Sequence, residues 1–137
     1  MWVSVEDDLF ISIYNKLKGD PLVSKYVDDR VFDYVQKDAV YPYIIVGETN
    51  VTNDESSTNM TEDVAVTLHV YSQTVNRHEA THLLKILGYL LNREIELKDY
   101  EFKRSRIDDQ QVIIDIDQYT KHGILRLLFK YRHKTKY

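Results

Sequence analysis

The chain has 137 residues, of which 43% are apolar and 29% charged, a composition that suits one globular domain with a single core. The net charge is -4, so the chain lacks the excess of basic residues that sequence-independent nucleic-acid binding requires. It contains no cysteine for disulfides or thiolate chemistry, and no apolar run reaches membrane-spanning length. We therefore expect one domain over residues 1–137, in a soluble, cytoplasmically made protein without a membrane partner.

Two helices are predicted at the start of the chain. Ser4 with Asp7 resembles a capping box for the first helix, and Gly19 supplies its stop. The dipeptide Asp20-Pro21 is typical of a helix start and predicts a short second helix over residues 22–27. The first helix carries apolar side chains at helical spacing: Leu9, Ile13 and Leu17.

The middle of the chain has the pattern of β-strands. Residues 30–33 form a short extended piece, and segments 43–49 and 64–72 are β-branched and bounded by polar residues. Between those two segments, residues 50–60 are polar and acidic, and a connection of that length is usually a working loop or a disordered one. Segment 64–72 alternates, with one set of side chains directed to the core: Val64, Val66, Leu68 and Val70.

A third helix and three further strands complete the pattern. The helix is predicted at residues 76–92, and strands are predicted at 99–106, at 111–119 and from Gly123 onward. Asp108-Asp109 is predicted to form the turn between the first two of these strands. The order α-α-β-β-α-β-β-β predicts an α+β domain, with a largely antiparallel sheet of about five strands and helices packed on one face.

His78, Glu79 and His82 form an HExxH sequence within the third predicted helix. On a helix this spacing places two imidazoles on one face, where they could bind zinc beside a glutamate positioned to deprotonate a bound water. A small zinc-dependent metallopeptidase is therefore the alternative interpretation of the chain.

Several features favour a solvated helix face over a zinc site. Lys85 and Gly88 stand where an extended zinc motif would have Gly and His, and Glu101 lies in a segment that alternates like a strand. Helical periodicity turns both histidines away from the apolar face and places Lys85 beside His82. No supporting carboxylate can be placed from the sequence. We expect no catalytic residue, no metal ligand and no cofactor.

Two other polar groups admit more than one interpretation. His69 lies on the strand face opposite Leu68, and such a histidine usually makes a hydrogen bond at a surface or an interface. Asp115 and Asp117 share one strand face and could hold a cation, although a solvated strand face is the expected interpretation.

The order of short motifs along the chain resembles a known family. The short second helix leads into Arg30-Val31-Phe32-Asp33, the segment Tyr41 to Gly47 opens a strand, and Leu68 to Ser72 closes its partner. A helix follows, and the last strand begins at His122. Over about residues 5–133 this arrangement is similar to the tail completion proteins of long-tailed bacteriophages, also called tail terminators or tail-to-head joining proteins.

The resemblance implies a structural virion protein that is not an enzyme and has no cofactor. It implies a ring of identical subunits, commonly a hexamer, that caps the tail tube at the head-proximal end of the tail. One side of the ring would contact the major tail protein and the other the head completion or connector protein, with DNA passing through the lumen. Assembly would take place in the host cytoplasm.

The polar connection suits an interface that forms on docking, because a polar contact segment keeps a subunit soluble until it meets the tube. A net negative charge also suits a conduit that DNA must slide through, provided that acidic groups line the lumen. The predicted interface residues are Asn50, Thr52, Asn53, Asp54, Glu55, Ser56, Ser57, Thr58 and Asn59.

Overall fold

A computed structural model of the protein describes residues 4–34, 37–53 and 61–134. Within these residues, three helices and five strands occur in the order α1 (Glu6–Gly19), α2 (Pro21–Val27), β1 (Val31–Phe32), β2 (Tyr43–Asn53), β3 (Thr61–Ser72), α3 (His78–Leu91), β4 (Tyr100–Ile114) and β5 (Lys121–His133).

The five strands form one sheet in the order β1-β2-β3-β5-β4. Every neighbouring pair is antiparallel except β1 and β2, which run parallel. The sheet is therefore mixed, and the prediction of an α+β domain with a largely antiparallel sheet is confirmed. None of the helices in the described ranges is long and apolar enough to cross a lipid bilayer.

One face of the sheet is covered by helices. The even-numbered residues of β3 from Val64 to Val70 are fully buried and belong to the same hydrophobic cluster as Leu9 of α1 and Leu87 of α3. At Gly123 of β5, an added Cβ would lie 3.1 Å from the Leu84 side chain, so this position brings α3 close to the sheet. The opposite side of the sheet, which we call the open face, carries the odd-numbered residues of β3.

The order of elements differs from the predicted one in two places. The short extended piece at 30–33 contains a strand, β1, because Ile44 N donates to Arg30 O and Val31 pairs with Ile44. The predicted strands 99–106 and 111–119 are one continuous strand as far as Ile114, and the predicted turn at Asp108-Asp109 is wrong. A bulge between Ile107 and Asp109 accommodates the extra residue.

The helix starts confirm one prediction and correct another. Asp20 caps α2 as predicted, because its side chain accepts hydrogen bonds from Leu22 N and Val23 N. The predicted capping box of α1 is wrong, since the N-cap residue is Val5 and has no side-chain cap. Ser4 Oγ instead accepts a hydrogen bond from Glu6 N and donates one to a carboxylate oxygen of Glu62 in β3.

Candidate interaction surfaces

The HExxH residues lie at the start of α3. His78 and His82 are both exposed, as predicted, and Lys85 on the same helix is exposed too. The ring of His82 makes an edge contact with Tyr26 of α2, at 5.4 Å between ring centroids. Glu79 accepts a hydrogen bond of 2.7 Å from the buried Ser72 Oγ, so its carboxylate ties α3 to the end of β3. In the described ranges, no group of three or more His, Cys, Asp or Glu is placed to hold a metal ion.

The predicted polar connection begins later than expected, because β2 continues through Asn53. Asn50 pairs with Ala65, Thr52 pairs with Asp63, and Asn53 pairs with Glu62. These three predicted interface residues therefore belong to a strand, in which Asn50 and Thr52 are exposed. The other predicted interface residues, Asp54 to Asn59, lie outside the described residues.

The antiparallel strands give the sheet two chemically different ends. At one end β2 stops and β3 begins, and we call it the polar end, defined by the exposed Asn50 and Thr52. At the other end β4 stops and β5 begins. This second end carries large side chains in solvent, and we call it the apolar end, defined by Val75, Ile114, Ile116 and Tyr119.

The apolar end is held in place by polar contacts. Ile116 is 95% exposed and Val75 97% exposed, although neither side chain gains anything from contact with water. Asp117 accepts hydrogen bonds from the Thr120 hydroxyl and from the backbone N–H groups of Thr120 and Tyr119, and these bonds lower the pKa of the Asp117 carboxyl below its ordinary value. The turn begins after β4 ends at Ile114, so Asp115 and Asp117 do not share a strand face as predicted. Both carboxylates accept backbone hydrogen bonds within the turn, which holds Ile116 in its exposed position.

A second tether joins the β4–β5 turn to the segment before α3. The ammonium of Lys121 donates to Thr74 O at 2.9 Å and to Tyr119 O at 2.7 Å. Beside it lies a shallow cavity of about 400 Å³, lined by Val75, Asn76, Arg77, Val112, Ile114 and Lys121.

The open face carries a hydrogen-bonded chain of three side chains. Glu48 Oε1 accepts from His69 Nε2 at 2.8 Å, and His69 Nδ1 lies 2.7 Å from His122 Nε2. When both rings are neutral, His122 donates to His69 and His69 donates to Glu48. The hydrogen bond from His69 lowers the pKa of the Glu48 carboxyl, whereas burial lowers the pKa of His122. The sequence indicated a hydrogen bond for His69 but not its partners, which lie 21 and 53 residues away.

Stacked rings continue this chain across the sheet. The ring of His122 stacks on Tyr71 at 4.4 Å between centroids, and Tyr71 stacks on Tyr43 at 5.0 Å. Burial raises the pKa of Tyr43 to about 12 and also raises the pKa of Tyr71, so both hydroxyls stay neutral at physiological pH. These stacked rings therefore join β2, β3 and β5 across the open face.

Comparison with known proteins points to one family. Residues 11–132 match the sequence model of a family described as "Tail completion protein gp17". The chain is 28% identical over 101 residues to the tail completion protein gp17 of Bacillus phage SPP1, covering 74% of this chain and 75% of that protein.

Two solved structures share the fold. A chain from the virion of a native gene transfer agent particle matches with a TM-score of 0.84 and 14% identity, over 96% of this chain and 99% of that one. The structure of the bacteriophage SPP1 gp17 protein matches with a TM-score of 0.67 and 24% identity, over 98% of this chain and 96% of that one.

Proposed function

The chain belongs to the Tail completion protein gp17 family and is a structural virion protein of a phage tail, and from this premise we propose that it closes the tail tube as a ring. The ring, a hexamer, lies at the head-proximal end of the tail, after assembly in the host cytoplasm. One side binds the last ring of the major tail protein and the other binds the head completion or connector protein. DNA passes through the lumen.

The observation that supports this role best is the difference between the two ends of the sheet. The two ends of a ring that extends a tube must be complementary to each other, because the far end of each added ring binds the near end of the next one. Here the polar end offers Asn50 and Thr52 to a partner, whereas the apolar end offers Ile114 and Ile116. Such a subunit binds one kind of partner at each end and stops further growth.

The apolar end suits a contact that stays formed after assembly. Exposed apolar side chains gain about 25 cal/mol per Å² when a partner removes them from water. The polar end suits a contact made through hydrogen bonds, with Asn50, Thr52 and Asn53 as the proposed residues on β2. The prediction that Asp54 to Asn59 take part rests on the sequence alone.

The proposal is tested by disabling the apolar end. In Ile116→Asp, a charge replaces a side chain that is 95% exposed, so the fold should be preserved. The variant is mixed separately with tail tubes that lack the protein and with heads, and joining is scored by electron microscopy. We expect it to lose joining to one of the two partners and to keep the other.

The matched control is Leu22→Asp, which places the same charge at an exposed apolar position on α2. It should join both partners normally. Full joining to both partners by Ile116→Asp, or tubes capped without any ring density, would contradict the proposed function.

A further inference from the structure

Among the described residues, the sheet has a free edge on each side. On one side the edge strand is β4, which has 15 residues from Tyr100 to Ile114 and whose first residue, Tyr100, forms a bridge with Leu97. On the other side, β1 pairs with β2 only at Ile44 and Ile45. Residues 46–53 of β2 therefore have no strand beside them on that side within the described part of the chain. Free edges present unpaired backbone groups to any strand of suitable direction.

The two edges have the directions that a repeating sheet needs. β2 is antiparallel to β3, β3 to β5, and β5 to β4, so β2 and β4 run in opposite directions. When identical copies stand side by side in the same orientation, β4 of one copy meets β2 of the next as an antiparallel partner. No subunit has to be inverted, and the contact uses two different surfaces, as closure of a ring requires.

We propose that neighbouring copies of this chain join by pairing the β4 edge of one with residues 46–53 of β2 in the next, so that the sheet continues from subunit to subunit. The inference rests on the ring in the proposed function and names the contact that builds it.

The backbone of both edges points outward at defined residues. Ile44 N donates to the carbonyl oxygen of Arg30, the residue before β1, so the backbone of Ile44 points away from β3. Backbone direction alternates along antiparallel strands. Following the alternation through the register, Val51 on β2 and both Ser105 and Gln110 on β4 direct their N–H and C=O groups out of the sheet.

The charges beside the two edges are complementary. The first turn of α1 lies beside β2, where Thr49 Oγ1 hydrogen-bonds to the Glu6 carboxylate. Asp7 and Asp8 follow in the same turn and are exposed, as is Glu48 on β2 itself. Residues 103–106 of β4 carry three exposed basic side chains: Lys103, Arg104 and Arg106. Lys103 pairs with Glu101 and Arg106 with Asp108 along the same strand, so Arg104 is the one of the three without such a pair among the described ion pairs. Because these acidic and basic side chains lie at opposite edges of the sheet, they come close to each other only when two copies stand side by side.

Edge strands that must stay free often carry lysine or a bulge, and β4 has both. It also has features that a protected edge avoids. Ile107 is 40% exposed, Ile113 43% and Ile114 64%, all on this one strand. A strand shaped only to remain unpaired would not keep three isoleucines in water, so we favour a second copy as its occupant.

The absence of cysteine from the chain allows a clean cross-linking test. Val51→Cys is combined in one chain with Ser105→Cys, and in a second chain with Gln110→Cys, because the stagger between subunits is to be found by experiment. A disulfide forms only when the two Cα atoms lie within about 7 Å. The control pair joins Val51→Cys to Lys85→Cys on the exposed face of α3.

Each variant is assembled on tail tubes, oxidised and separated on a denaturing gel. We expect one of the β2–β4 pairs to give a covalent ladder that ends at the ring size, while the control pair gives monomer. Rings seen by microscopy without any ladder would overturn the edge pairing and leave the ring standing. Tubes without rings would overturn the proposed function and the inference with it.

Proline provides a second, non-covalent test. The N–H group that Gln110→Pro removes points out of the sheet, so the monomer should still fold. A neighbouring strand that pairs with β4 would lose one hydrogen bond and would clash with the proline ring. We expect ring assembly to weaken by about tenfold, the size of effect that such a loss produces. Gln110→Ala keeps the N–H and should assemble normally. Equal assembly of both variants, with equal melting temperatures, would contradict the proposal.

Discussion

Glu62 is expected to be the most costly charged residue to replace. It is fully buried, two residues before Val64 on the helix-covered face of β3. Its carboxylate accepts hydrogen bonds from Ser4 Oγ at 2.7 Å, from Val5 N at 3.1 Å and from His133 Nε2 at 2.5 Å. One side chain therefore joins the start of α1 to β3 and to the end of β5.

The expected loss in Glu62→Ala follows from these three bonds. A hydrogen bond to a charged group contributes about 1.5–3 kcal/mol, and removing one partner of a buried charged group costs about 3–5 kcal/mol because the remaining groups stay unpaired. We expect the free energy of unfolding to fall by about 3–5 kcal/mol, a large part of the roughly 5–15 kcal/mol that a domain has.

Urea denaturation near neutral pH measures this loss as a lower midpoint at an unchanged slope. Glu101→Ala is the matched control, because the Glu101 carboxylate pairs with Lys103 at the surface and its removal should leave the midpoint unchanged. A loss of less than about 1 kcal/mol in Glu62→Ala would refute the reasoning, since the cost of burying the carboxylate would then cancel its hydrogen bonds.

Three further predictions concern the open face and the HExxH helix. Gly47→Ala places a Cβ 2.8 Å from His69 Cδ2 and 3.0 Å from Thr67 O, so we expect a loss of about 1–3 kcal/mol in urea denaturation; an unchanged midpoint would contradict the close packing. Burial lowers the pKa of His122 below its ordinary value of 6.5, so the unfolded chain binds more protons than the folded one between the two pKa values. The free energy of unfolding is therefore highest above the ordinary pKa of histidine and falls as the pH drops below it. Between about pH 7.5 and about pH 5.5, His122→Phe should lose less of its free energy of unfolding than the parent protein does. His82→Ala should leave both the melting temperature and the zinc content of protein purified without added zinc unchanged. Stoichiometric zinc that disappears in this variant would overturn the interpretation of the HExxH residues as a solvated helix face.

Local sequence signals account for the fold class and for most of the helices. The helical periodicity of residues 76–92 predicted α3, and Asp20 with Pro21 predicted the start of α2. The strand β1 could not be recognised in this way, because two residues are too few for a pattern and its parallel partner lies 13 positions along the chain. The break predicted within β4 came from Asp108, which a bulge accommodates and which pairs with Arg106 at 3.3 Å.

The candidate surfaces were only partly visible in the sequence. The exposure of the two HExxH histidines was predicted correctly, because the helical periodicity of the apolar residues indicates which face of a helix is in solvent. His69 and His122 are 53 residues apart in the sequence, so no local sequence pattern could predict their contact. Glu62 did carry a signal, since strict alternation from Val64 places it on the buried face, where a charge demands partners.

The exposed isoleucines are stronger evidence for assembly than the polar residues of β2 are. A polar side chain in water has no need of a partner, so Asn50 and Thr52 are equally consistent with an occupied and an empty surface. Ile116 differs, because the turn built by Asp117 holds it in water at a cost that a polar residue would avoid. The same is true of Ile114, which lies where the free edge of β4 meets the apolar end. A neighbour along the edge and a partner at the end would therefore cover adjoining surfaces that meet at Ile114.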